Sequence, residues 1–88
     1  MLTNENIQCN LARLRKRAGF TQTYVVLGAN DYLKALGIEY DLLDRVALSK
    51  AETGSVILIP NHVHAIAAFL DCSAHDIYPY LYPKERDS

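Results

Sequence analysis

Apolar residues recur along the chain at helical spacing, and Gly, Pro and small polar residues divide them into segments. Ile7, Leu11, Leu14 and Ala18 follow at intervals of four, three and four, which predicts one buried stripe on a first helix over residues 4–18. Thr3 or Asn4 can cap its start, and Gly19 can end it with Phe20 packing back. Thr21 can cap a second helix with Gln22 in its first turn. Over residues 23–38, Val26, Ala29, Leu33 and Leu36 fit one stripe and Gly37 is the expected stop. Gly28–Asp31 weakens the centre, so this segment is either one helix or two pieces with a turn there. Leu42, Leu43, Val46 and Leu48, with Ala47 and Ala51, predict a third helix within Tyr40–Thr53, opened by Asp41 and closed by Gly54. Ser55–Ile59 is a short apolar run expected to be a buried connection. Pro60 then opens a fourth helix over residues 60–70, with Val63, Ile66, Ala67 and Leu70 facing the core. Ser73 can cap a last short helix, with Asp76 at capping-box spacing, and Ile77 and Leu81 docking. The pattern predicts one all-α domain over residues 1–83 and a frayed tail over 84–88.

Charge changes the picture by its distribution. The net charge of the 88 residues is −1, yet Arg13, Arg15, Lys16 and Arg17 stand near the first helix's end with only Glu5 against them in residues 1–22. Binding to DNA needs a local positive face, not a positive total. The basic residues also suit the C-terminal end of the helix dipole, so they read equally as a solvated face or as phosphate contacts. Arg17 is the candidate contact among them. On the third segment Arg45, Ser49 and Lys50 fall on a limited arc, and all three can donate hydrogen bonds. Small residues between longer donors let a helix approach a groove closely, so this helix is expected to read DNA; the alternative is an ordinary wetted face. Gln22, at a helix N-terminus, suits a phosphate or the bracing of a base-reading side chain.

Other chemistry is sparse. Cys9 and Cys72 lie far apart without CxxC spacing and read as small core residues of a reducing compartment. His62 and His64 are two apart and project to different sides of a helix, so no metal site and no cofactor are expected. Cys72 and His75 lack an evident third orienting group, and no phosphate loop or nucleophile elbow is present; the chain is not expected to be an enzyme. No apolar run approaches a membrane span, and Thr3–Asn10 is polar, so a cytoplasmic protein is expected.

Three blocks of the chain carry a resemblance. Ile7–Gln22 has Leu14-Arg15, Gly19, a hydrophobe at Phe20 and then Thr21-Gln22; Leu48–Gly54 has a hydrophobe-Ser followed by Glu52-x-Gly54; Ile66–Ile77 runs IAAFLDCSAHDI. In this order they resemble the lambda-repressor-like, Xre-type helix-turn-helix family. The resemblance implies a five-helix bundle that dimerises on an operator and represses transcription. On matching positions it implies that Gln22 touches a phosphate or braces a base-reading side chain. It further implies that Arg45, Val46, Ser49 and Lys50 face the major groove and that Ala47 can meet a thymine methyl. Glu52 would have a structural role, holding backbone or an Arg such as Arg15.

The chain departs from that pattern in one place. Ser49 stands 27 residues beyond Gln22, roughly a dozen more than a compact helix-turn-helix needs. The extra residues fall within Val25–Asp44 and lengthen the second helix, the turn or the start of the third. The expected function is a homodimeric, sequence-specific DNA-binding regulator acting on a double-stranded operator. The alternative is a protein-interaction module that keeps the bundle and binds a partner through Val25–Asp44, with Tyr32 and Leu33 as candidate contacts. Tyr78, Tyr80 and Leu81 either seal a symmetric dimer or fold back on their own bundle.

Overall fold

The computed structural model of the chain describes residues 7–84. It is an all-α five-helix bundle: α1 Leu11–Ala18, α2 Gln22–Ala35, α3 Arg45–Glu52, α4 Pro60–Leu70 and α5 Ala74–Ile77. Among the described residues there is no strand, and no helix is long and apolar enough to cross a membrane. The expected caps at Thr3 and Asn4 lie outside the described residues, as do residues 85–88 of the tail.

α2 and α4 form the central pair, and α1 and α3 close over it. Val25, Ala29 and Leu33 make the buried stripe of α2 and meet Val63 and Ile66 of α4 in one core. Leu11, Leu48 and Ile77 complete it from the other helices. α2 runs unbroken through Gly28, where a β-carbon would overlap the Phe69 ring of α4. Glycine is there for the close approach of two helices, not for a turn. Phe69 is held in turn by Phe20 and Tyr24, with ring centroids at 5.5 and 5.4 Å. Helix propensity alone favours Ala over Gly by about 1 kcal/mol. Overpacking against a held ring costs about 1–3 kcal/mol. Gly28→Ala is therefore expected to lower stability, and a raised melting temperature would show that Phe69 swings aside freely.

The helix ends follow local rules. Thr21 Oγ1 accepts the Tyr24 N–H, and Ser73 and Asp76 form a reciprocal capping box on α5. At the end of α3, Gly54 takes a left-handed φ of 84° while the Ser55 N–H returns to the Lys50 carbonyl. α4 stops on Asp71, a non-glycine at φ 56°.

Several expectations need correction. α1 starts at Leu11, not near residue 4, because Asn10 is committed elsewhere: its backbone N–H donates to Ile77 O at 2.9 Å and its side chain donates to Asp76 O at 3.0 Å. It stands at the N-cap position with its carbonyl accepting the Leu14 N–H, but its side chain is tied to α5 instead of bonding the first turn of α1. Ala18 and Leu36, assigned to buried stripes, are exposed. The buried face of α2 is rotated toward Val25 because α4 approaches at Gly28. α3 starts at Arg45 with Asp44 as its cap, whose Oδ1 accepts the Ala47 N–H at 2.7 Å. Asp41, Leu42 and Leu43 precede the helix. In the Ser55–Ile59 connection only Leu58 is fully buried, while Ile57 and Ile59 are partly exposed. Tyr78 cannot join an exposed cluster: it is 1% exposed, and its phenol oxygen accepts the Leu58 N–H. Burial pushes its ionisation well above the usual phenol range. Tyr80 and Leu81 remain exposed.

Candidate nucleic-acid interface

α3 is two turns of helix with two distinct sides. Leu48 and Ala51 are fully buried, and Ala47 is half-buried against the core. The spacing that sends these inward sends Arg45, Val46, Ser49 and Lys50 outward. Arg45 and Lys50 are exposed, Ser49 is half-buried, and Val46 is 57% exposed. Two cations, a hydroxyl and a branched apolar side chain thus share one outward arc. Ala47 sits at the edge of this arc with its methyl on the core side.

The end of α3 is locked from behind. Glu52 meets Arg15 of α1 in a two-point ion pair, Arg15 Nε to Oε2 at 2.6 Å and Nη2 to Oε1 at 3.0 Å. Only 11% and 6% of the two side chains are exposed. Arg15 Nη1 also donates to Phe20 O at 2.8 Å, in the turn between α1 and α2. The Gln22 amide donates to Glu52 Oε1 at 3.0 Å. One carboxylate therefore joins α1, the first turn of α2 and the last turn of α3. Burial alone would raise the Glu52 pKa, but the hydrogen bonds from Arg15 and Gln22 and the charges of Arg15 and Lys16 outweigh it and hold it below the usual carboxylate range. The hydrogen bond to Glu52 likewise raises Arg15.

The candidate residues therefore do not all converge. Gln22 braces Glu52, an anchoring residue, not a member of the outward arc. Arg17 stands two positions beyond Arg15, so it leaves α1 on a different side. It lines a groove of about 470 Å³ with Arg13, Leu70, Asp71 and His75. Besides Arg15, the cation whose charge reaches Glu52 is Lys16. Sequence reasoning missed it as a neighbour of α3, although its place one residue after Arg15 was the available signal. It missed Asn30 and His62 as well. Asn30 holds the backbone of Leu43, and His62 holds the carbonyl of Asp41.

Among the described residues no buried side-chain nitrogen or oxygen lacks a hydrogen-bond partner. His62 is buried while His64 is exposed and stacks edge-on to Tyr82 at 5.6 Å. Among the described residues no three His, Cys, Asp or Glu side chains gather as metal ligands. His75 Nδ1 lies 2.9 Å from Tyr82 O. The Cys72 thiol is pushed up by burial and then by the charges of Asp76 and Asp71, the opposite of an activated thiolate. Cys9 is raised by burial too.

Fold and site together define a small helical bundle that presents a short, donor-bearing third helix on a buried core. No protein-family model, curated protein or solved structure matches the chain.

Proposed function

We propose that the protein is a sequence-specific DNA-binding regulator in which α3 enters the major groove of an operator. The observation that carries this reading is the outward arc of Arg45, Val46, Ser49 and Lys50, backed by buried Leu48 and Ala51 and anchored through Glu52. Arg and Lys can donate to guanine O6 and N7 or to phosphates, and an apolar group can meet a thymine methyl. Lys16 and the free N–H groups at the start of α2 are candidates for backbone contacts. As a homodimer, the protein would place two such helices in successive major grooves of a near-palindromic site and block access by occlusion. The resemblance to Xre-type helix-turn-helix proteins supports the same reading.

Selection from a random duplex pool at two salt concentrations tests it. A near-palindromic motif with a steep salt slope is expected. On the selected duplex, Arg45→Ala and Lys50→Ala are each expected to weaken binding by about 1–3 kcal/mol without loss of helicity. Unchanged affinity in both variants would remove α3 as the reading element. A protein partner is favoured instead by exposed Leu27, Tyr32, Leu36 and Tyr40 on α2 and the following loop. In that reading an empty selection is expected.

A further inference from the structure

The linker between α2 and α3 covers residues 36–44. A loop of this length does not by itself set the angle between two helices, because each unpinned residue keeps its backbone freedom. Here two of the last four residues, Asp41 and Leu43, are pinned from the two members of the central helix pair. The Asn30 side chain of α2 acts as a peptide group toward Leu43. Its Oδ1 accepts the Leu43 N–H at 2.8 Å and its Nδ2 donates to Leu43 O at 2.8 Å. Leu43 itself is buried in the core. From α4, the buried His62 ring places Nε2 2.8 Å from Asp41 O. A carbonyl oxygen only accepts, so Nε2 carries the proton and donates. Asp44 then caps α3. Positions 41, 43 and 44 are thus each held, immediately before Arg45.

The geometry points to Asn30 and His62 as positioning residues that set the orientation of α3 and thereby the sequence selectivity of the protein, a role that rests on α3 being the reading helix. Neither side chain is on the outward arc. Each acts through the backbone it holds, in place of the tight turn that a shorter linker would provide. A helix that tilts when its entry is released keeps its charge but loses the alignment of its donors with base edges. Contacts to phosphate tolerate such a shift better than paired contacts to a base, so selectivity falls further than total affinity.

The test compares two duplexes: the one most enriched by the wild-type protein, and a shuffled duplex of the same composition. Asn30→Ala and His62→Leu are expected to lower the ratio of the two affinities by about ten- to a hundredfold, the size of one lost base contact. His62→Gln, which can donate from a similar position, is expected to keep the ratio near that of the wild type. Ser73→Ala, which removes the capping box of α5 far from the linker, serves as a destabilised control and is expected to leave the ratio unchanged. Exchange of the Leu43 amide, read without DNA, is expected to be about tenfold or more faster in Asn30→Ala than in the wild type. Equal exchange overturns the clamp. An unchanged ratio in Asn30→Ala and His62→Leu, where Lys50→Ala still weakens binding, overturns the positioning role and leaves the reading of α3 standing. If no duplex is enriched, or if Arg45→Ala and Lys50→Ala bind as wild type does, the reading of α3 falls and the positioning role with it. Leu43 exchange then still reports whether the clamp forms.

Discussion

Glu52→Ala is expected to destabilise the protein by about 3–5 kcal/mol, the cost of leaving one member of a buried ion pair unpartnered. A domain of this size has only about 5–15 kcal/mol in total. Two donors lose their acceptor together and the end of α3 loses its anchor. The Arg15 guanidinium keeps only Phe20 O, the Gln22 amide loses its acceptor, and the last turn of α3 is released from α1. Each lost kcal/mol lowers the melting temperature of a small domain by about 4–8 °C. Thermal and urea denaturation of the variant measure this directly, and a loss below about 1 kcal/mol would place the pair among weak surface bridges. The ion pair itself need not be a large net gain. Replacing both partners with apolar residues, Arg15→Met with Glu52→Met, is expected to recover much of the loss, because desolvation of two charges is removed along with their attraction. The pH dependence has a definite sign. Glu52 is held below its ordinary value in the folded chain. Its contribution is therefore complete above the unfolded-state pKa of about 4.3 and is lost as pH falls through the lower folded value. The acid slope of stability below about pH 4 is expected to be shallower in Glu52→Gln than in wild type.

Leu33→Ala is expected to cost about 2–5 kcal/mol, since it removes a fully buried side chain from the contact between α2 and α4. Leu27→Ala and Leu36→Ala are expected to change stability by no more than about 0.5 kcal/mol. Both side chains are 60% exposed. Urea unfolding with a constant denaturant slope measures all three. The contrast matters for the alternative reading of the protein as an interaction module. Leu33 is not a docking residue, and a complex lost in Leu33→Ala would report unfolding. Leu27, Tyr32 and Leu36 are the positions at which binding can be separated from stability. Equal losses at Leu27 and Leu33 would overturn this assignment of the faces of α2.

Much of the helical frame was legible because it rests on local chemistry. Thr21, Ser73 with Asp76, Gly19, Gly54 and Pro60 act within one helical turn, and each stands where its rule places it. The resemblance leaves Glu52 to hold backbone or an Arg such as Arg15, and the structure shows the Arg15 pairing, while the inward Leu48 and Ala51 follow from helical spacing. Outward exposure of Arg45, Val46, Ser49 and Lys50 follows from the same spacing. The start of α1 was not legible, because the competitor for Asn10 is a pair of α5 carbonyls more than sixty residues away in the chain. The local rule allows Asp41 as the cap of α3 as readily as Asp44, because two aspartates precede that helix and either satisfies it. Asn30, holding Leu43, settles which one does.

By itself, then, the sequence determined an all-α chain, most of its helix ends and the donor-bearing side of the third helix, since these depend on neighbours within a few positions, while it left residues 23–38 as one helix or two. Tertiary structure alone decided three things. The close approach of α4 at Gly28 chose the buried face of α2. Burial of the phenol against Leu58 removed Tyr78 from the surface. Asn30 and His62 set how the long linker delivers α3. All three depend on groups that only folding brings together, and no pattern of spacing along the chain encodes their distance in space.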